Sequence, residues 1–129
     1  MKKYQEFCDL FSQAEKKLKQ VENLIDQLAI PAVNELRYAG FHCACSLAAT
    51  TEKEAEDHLD SARKHCKRAI FDAMEIGVCY FLVKIRMFKD DYRLVPVTNV
   101  VKDYVDYLQQ VRTIQDFVAS HNRHAPEAE

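Results

Sequence analysis

The sequence predicts an all-α protein, an antiparallel up-down bundle of four main helices joined by short loops. The 129 residues include only two Gly and three Pro, so few tight turns are available. Apolar residues recur at helical spacing along most of the chain. They make up 48% of the composition, and charged residues make up 29%, proportions typical of a globular chain with its own core. We therefore expect residues 1–129 to form a single helical-bundle domain whose tail, from about His121, is frayed.

Net charge and composition limit the classes of function that the protein can have. The net charge is −2, with 18 basic and 20 acidic residues, so no global charge indicates a nucleic-acid or membrane partner. No run approaches the roughly 18 apolar residues of a membrane span, and the acidic, helical N-terminal pattern is not that of a secretory signal. Five cysteines without framework spacing indicate reduced thiols and a cytoplasmic location. Two glycines cannot build the Gly-rich loops of cofactor enzymes, so no cofactor is expected.

Helix one is predicted from Lys3 to Ala29. Its apolar residues alternate spacings of four and three and form a continuous seam. The seam consists of Phe7, Phe11, Ala14, Leu18, Val21, Ile25 and Leu28. Pro31 is expected to end this helix near Ala29 and to lie in the first turn of the next one.

Helix two is predicted from about Ala32 to Ala48, followed by a short turn. Thr51 is the expected N-cap of helix three, with Glu54 at the capping-box position, and helix three is expected to continue to Phe88. Its seam is Leu59, Ala62, Cys66, Ala69, Ala73, Ile76, Tyr80, Val83 and Met87.

Helix four is expected to follow an extended connection at residues 94–97 and to be capped by Thr98 or Asn99. Its core face is Val101, Tyr104, Leu108, Val111, Ile114 or Gln115, and Val118.

Helix two is apolar on almost every side, so it is expected to be covered on several sides. The face predicted to point into the bundle consists of Val33, Leu36, Gly40, Cys43 and Leu47. The opposite, outer face consists of Tyr38, Phe41 and Cys45. Either another helix of the same chain or a second copy across a two-fold axis must cover it. We expect the second arrangement, a homodimer through helix two.

Arg37 and His42 lie on the two shoulders of this outer face, about 140° apart on a helix. An arginine can hold a phosphate through two hydrogen bonds, and a histidine can transfer a proton near neutral pH. In a homodimer, the pair from each subunit would border one cleft. Together these residues are a minimal set for cleaving RNA, whose own 2′-hydroxyl is the nucleophile.

The segment Arg37-Tyr-Ala-Gly-Phe-His42 has the Arg-x4-His form of the HEPN superfamily. The surrounding NELRYAGFHCACSLA and the later ARKHCKRAIFDA resemble the helical hairpin of that family, over Ala32 to Lys84. The resemblance implies a small, often dimeric helical domain, of the kind found among metal-independent ribonucleases of bacterial defence and toxin–antitoxin systems. It also implies that Arg37 holds the scissile phosphate and that His42 acts in proton transfer.

A non-catalytic, dimeric helical module that binds a protein partner is the alternative function. In that interpretation Arg37 is a surface ion-pair partner, and His42 is a boundary residue with a satisfied hydrogen bond. Whether the chain is an enzyme stays open at this point.

A second polar group comes from helices two and three. Glu35 and His42 share a side of helix two, and His58 and His65 share a side of helix three, because each pair is seven residues apart. Antiparallel pairing places His42 level with His58, and Glu35 level with His65. The four side chains could form a metal site or a proton relay; otherwise they are a polar stripe at the edge of the helix pair.

A basic run on helix three could attract a phosphate backbone. It includes Arg63, Lys64, Lys67 and Arg68. The alternative is a solvated face whose cations pair with acidic residues one or two turns earlier.

Overall fold

The computed structural model describes residues 1–122, and the secondary structure of this range is entirely helical. The elements are α1 (Lys2–Ile25), α2 (Ile30–Ala48), α3 (Glu52–Asp91), a 3₁₀ turn (Val97–Asn99) and α4 (Tyr104–Asn122). The all-α prediction is therefore confirmed. The tail predicted to fray falls almost wholly outside the described residues. No helix in residues 1–122 has the length and apolarity needed to cross a membrane.

The chain divides into two compact units, Met1–Val78 and a segment that begins at Cys79. The first unit contains α1, α2 and the N-terminal part of α3. The second contains the C-terminal part of α3, the 3₁₀ turn and α4. Every candidate site residue lies in the first unit.

The end of α1 differs from the prediction. The helix stops at Ile25 because Asp26 adopts a left-handed conformation with φ 55°, which a short polar side chain tolerates. The Glu22 carboxylate accepts the N–H of Ala29 at 3.2 Å and supports the connection to α2. Leu28, predicted to continue the seam, lies outside the helix and is 70% exposed. Most of the predicted seam is buried: Phe7, Ala14, Leu18, Val21 and Ile25.

Small side chains dominate the core of the first unit. Seven residues have no exposed surface: Ala14, Ala32, Ala39, Ala62, Cys66, Ala69 and Ala73. Small residues let helix axes approach closely. At Gly77 of α3, for example, an added Cβ would lie 3.6 Å from the Val21 side chain of α1.

The buried face of α2 is not the one predicted. The buried residues are Ala32, Leu36, Ala39 and Ser46. Leu36 was predicted correctly and Cys43 is half-buried, but Val33, Gly40 and Leu47 are exposed. Relative to the prediction, α2 is rotated about its axis so that its small side chains face the neighbouring helices. Close approach of the helix axes favours Ala and Ser over Val and Leu at the contact, and this outweighs the burial of the larger side chains.

A hydrogen-bond network centred on Ser46 joins α1, α2 and α3. The Ser46 hydroxyl donates to the carbonyl oxygen of Ala55 at 2.6 Å. Its oxygen lies 2.8 Å from the Tyr4 hydroxyl, which is therefore the donor in that bond. Ser46 is 2% exposed, so the network satisfies polar groups that water cannot reach.

The turn between α2 and α3 confirms the predicted cap. The Thr51 hydroxyl accepts the N–H of Glu54 at 3.2 Å. The Glu54 carboxylate accepts the N–H of Thr50 at 3.3 Å, one residue before the usual capping-box partner.

Helix α3 runs without a break to Asp91, three residues beyond the predicted Phe88. The N-terminal half of its predicted seam, Leu59 to Ala73, is buried. Val83 and Met87, predicted to be in the core, are 44% and 49% exposed.

The connection to α4 is turned and not extended. The N–H of Val95 donates to the Tyr92 carbonyl at 3.0 Å, and the N–H of Asn99 donates to the Pro96 carbonyl at 3.0 Å. Helix α4 begins at Tyr104, after the predicted caps. On its predicted core face, Tyr104, Leu108, Val111 and Val118 are half-buried, whereas Val101 and Ile114 are exposed.

All five cysteines are free thiols. Burial, and secondarily the neighbouring Cys43, raises the pKa of Cys66 to about 11. Cys66 therefore stays protonated at neutral pH and acts as a small apolar side chain.

We predict that Ser46→Ala lowers the free energy of unfolding by about 1–2 kcal/mol, because it removes a buried donor and leaves the Tyr4 hydroxyl without its acceptor. Urea unfolding followed by circular dichroism measures the change. Ser12→Ala, at an exposed position of α1, is the control and should change stability by less than about 0.5 kcal/mol. Equal effects of the two substitutions would contradict the structural role of Ser46.

Candidate functional site

The site lies along the line where α2 and α3 meet. His42 Nδ1 is 3.1 Å from His58 Nδ1. His65 donates its Nδ1–H to a carboxylate oxygen of Glu35 at 2.6 Å. The later residue of α3, His65, contacts the earlier residue of α2, Glu35, so these helix segments are antiparallel. The prediction that His42 lies beside His58 and Glu35 beside His65 is confirmed.

The aromatic side chains at this line form a stack that we call the ring ladder, made of Tyr38, His65, His42 and His58. Centroids of Tyr38 and His65 are 5.5 Å apart. His65 and His42 stack at 5.3 Å with only 12° between their planes. His42 and His58 follow at 5.4 Å. Spacing along each helix predicts the two pairs, whereas the continuous stack depends on side-chain rotamers, which the sequence pattern does not specify.

The environment of His42 disfavours its protonated form. Burial lowers the pKa of His42, and the positive charges that His65 and His58 can carry lower it further. His42 is therefore mainly neutral at neutral pH. Its Nδ1 is bound to His58, and its Nε2 has no hydrogen-bond partner among the residues whose side chains the structure describes, 1–120.

Arg37 is an exposed residue of α2. Its guanidinium carbon lies 5.3 Å from the centroid of the Tyr38 ring, a cation–π contact that leaves the N–H donors of the guanidinium available. No carboxylate within the described part of the chain pairs with it. Such an arginine can hold an anionic ligand without first breaking a salt bridge.

Arg37 and His42 line one open pocket on the surface of α2, together with Tyr38 and Phe41. The two aromatic residues are 46% and 60% exposed, and Cys45 beside them is half-buried. Two of the three residues predicted to form an interface are thus largely uncovered by the described part of the chain. The two predicted catalytic side chains border the same space.

The structure divides the predicted basic patch into two pairs of residues. Arg63 and Lys64 contact carboxylates on preceding turns of α3, at 3.8 and 2.9 Å. Lys67 and Arg68 are exposed and make no ion pair with the side chains described for residues 1–120. Only the second pair is immediately available to a phosphate backbone.

The four residues considered for a metal site come together as two pairs. Glu35 binds His65, and His42 binds His58. Within residues 1–122 no three His, Cys, Asp or Glu side chains are grouped so that they could hold a metal ion. The polar stripe continues to Asp72, whose pKa is raised by burial and then by the charge of Glu35.

We predict that the stability of the wild-type protein falls as the pH drops below about 6.5, the usual pKa of an unfolded histidine. The folded-state pKa of His42 is lowered, so the unfolded state binds more protons in this range, and acidification favours unfolding. Urea unfolding at several pH values between about 7.5 and 5 measures the effect. His42→Asn removes this titration and should reduce the slope, while the other histidines remain common to both proteins. Identical slopes would contradict the prediction.

Comparisons with known proteins give no relative from which a function could be inferred. No family model, curated protein or solved structure matches this chain. A functional assignment therefore depends on the pocket lined by Arg37 and His42 and on the hydrogen bond that orients the His42 side chain.

Proposed function

We propose that the protein is a HEPN-like, metal-independent ribonuclease of a defence or toxin–antitoxin system. It acts on RNA through Arg37 and His42 of a homodimer. The observation that supports this proposal most directly is that Arg37, which makes no ion pair with the described residues, and the mainly neutral His42 border one open pocket. Five free thiols fit a reducing, cytoplasmic environment. The proposal also includes an up-down arrangement of the four helices, as expected of a HEPN-like bundle.

Cleavage would use the 2′-hydroxyl of RNA as the nucleophile. The Arg37 guanidinium holds the non-bridging phosphate oxygens through two N–H donors. Nε2 of His42 takes the 2′-hydroxyl proton while the O2′–P bond forms. The P–O5′ bond breaks, and the leaving oxygen takes a proton from the protonated form of the partner's His42. The products are a 2′,3′-cyclic phosphate and a 5′-hydroxyl.

A two-fold contact through α2 would bring two such pairs together. Tyr38 and Phe41 present large, exposed aromatic surfaces, and aromatic side chains are favoured at the centres of interfaces. Because a two-fold contact joins the same surface on both subunits, the adjoining Arg37 and His42 from each subunit would border one cleft.

The remaining basic residues would extend the contact with RNA. Arg68 lies one turn from His65 on α3, and His65 stacks against Tyr38. Lys67 and Arg68 are exposed and could neutralise phosphates that flank the scissile one, which would make binding depend on salt.

We predict that the wild-type protein cleaves single-stranded RNA in the presence of EDTA and leaves a 2′,3′-cyclic phosphate. His42→Ala should reduce the rate by about 10²–10⁴-fold, the usual contribution of general acid–base catalysis. Arg37→Ala should reduce it by about 10²-fold or more through lost stabilisation of charge. Cleavage of a fluorescent RNA and mass spectrometry of the products measure both.

Arg112→Ala is the matched control, because Arg112 is an exposed arginine of α4 outside the pocket. It should cleave at the wild-type rate. Equal activity of wild type and His42→Ala would overturn the proposed function and indicate a contaminating nuclease.

We predict that Phe41→Asp converts a dimer into a monomer and abolishes cleavage, since it places a charge at the centre of the contact. Sedimentation velocity measures the oligomeric state. Val105→Asp is the control, because Val105 is an apolar residue of α4 that is 54% exposed; this variant should remain a dimer. A monomeric wild type, or a Phe41→Asp variant that remains dimeric, would contradict the interface through α2.

The alternative is a non-catalytic interaction module that binds a protein partner. Exposed apolar side chains of the second unit favour it, among them Phe81 and Leu94 at 49% and 89% exposure. This function predicts a protein that copurifies in a fixed ratio, and no RNA cleavage by the wild type. Loss of the copurifying protein in Leu94→Asp, with retention in Phe41→Asp, would locate the contact on the second unit.

A further inference from the structure

His58 contacts the proposed catalytic histidine without lining its pocket. It is half-buried on α3, and its Nδ1 lies 3.1 Å from Nδ1 of His42. The residues that line the pocket all belong to α2: Arg37, Tyr38, Phe41 and His42. The contact of His58 with the residues of this pocket is therefore made through His42.

A hydrogen bond between two Nδ1 atoms requires a proton on one of them. When His42 is the donor, its neutral ring carries the proton on Nδ1, and Nε2 has a free lone pair. When His42 is the acceptor, its Nε2 carries the proton, and the ring cannot act as a base at that atom. The direction of this bond decides which proton transfer His42 can perform.

Only one direction lasts through a catalytic cycle. After His42 has taken a proton on Nε2, both of its ring nitrogens carry hydrogens, and Nδ1 can only donate. A bond in which His58 accepts is compatible with both forms of His42, whereas the reverse bond breaks whenever His42 becomes protonated. His58 must then carry its own proton on Nε2.

We propose that His58 is a positioning residue that accepts a hydrogen bond from Nδ1–H of His42 and so keeps His42 Nε2 unprotonated for the substrate. This inference rests on the proposed function for its role in catalysis. The hydrogen bond also fixes the ring plane, because a half-turn of the His42 ring would place a carbon opposite His58 and lose the bond.

The other side chains around His42 support this orientation. The rings of His65 and His42 stack nearly parallel with centroids 5.3 Å apart, and the rings of Phe41 and His42 pack in a T-shaped arrangement with centroids 5.5 Å apart. His65 is itself held by Glu35, beside Asp72. The ring of His42 is thus confined by stacking, while the direction of its hydrogen bond is selected by His58.

The test uses the full chain with His58→Asn and His58→Leu. The Asn oxygen can replace Nδ1 of His58 as an acceptor, whereas Leu cannot accept at all. Long-range ¹H–¹⁵N NMR spectra report the tautomer of His42, and RNA-cleavage kinetics report its effect. Asp57→Asn, at the adjacent exposed position, is the control and should match wild type in both measurements.

We expect His42 of the wild type and of His58→Asn to carry its proton on Nδ1. In His58→Leu the Nε2–H tautomer should appear, and kcat should fall about tenfold or more with little change in KM. Cleavage by His58→Asn should stay within about threefold of wild type, since general acid–base efficiency is retained when the base is still oriented.

An Nε2–H tautomer of His42 in the wild type would overturn the inference even if His58→Leu does not fold. Equal loss of activity in His58→Asn and His58→Leu would also overturn it, because the ability to accept would then not matter. If the wild type shows the expected tautomer but cleaves no RNA, the proposed function fails, and the orientation of His42 by His58 stands.

Discussion

Close approach of the first three helices, permitted by alanine, is the constraint on which the rest of this structure depends. Residues such as Ala39 and Ala62 have no exposed surface, and larger side chains there would separate the helix axes. The Nδ1 atoms of His42 and His58 are 3.1 Å apart, so a small outward shift of α2 would break their contact. The geometry of the polar site is therefore set by the apolar core beside it.

Such close packing also determines the electrostatics of the site. Polar side chains at the edge of α2 and α3 are partly withdrawn from water and must satisfy one another. His65 does so by donating to Glu35, whereas the described ring contacts of His42 are with His58, His65 and Phe41. Burial and the two histidine rings lower the pKa of His42. The two histidines therefore differ in their hydrogen-bond partners, which are a carboxylate for His65 and a second imidazole for His42.

Much of this arrangement could be predicted from sequence. The short turn after α2 makes α2 and α3 antiparallel neighbours, and the seven-residue spacings on each helix then determine which residues of α2 lie beside which residues of α3. His42 and His58 meet as expected, and the cap at Thr51 forms. The buried face of α2 could not be predicted by ranking hydrophobicity, since Ala39 is buried while Leu47 is 70% exposed. The ring ladder depends on side-chain rotamers, and the early end of α1 depends on one left-handed residue, Asp26.

The rotation of α2 links its core to its proposed interface. Burying the alanine face turns Phe41 outward, beside Arg37 and the accessible side of His42. If a second subunit covers Phe41, it also lowers the local dielectric around both polar residues. The attraction of Arg37 for a phosphate then strengthens, and a charge on His42 becomes costlier unless that phosphate is present. Dimerisation would therefore couple binding of the anion to proton transfer, which a lone subunit with a solvated pocket cannot do.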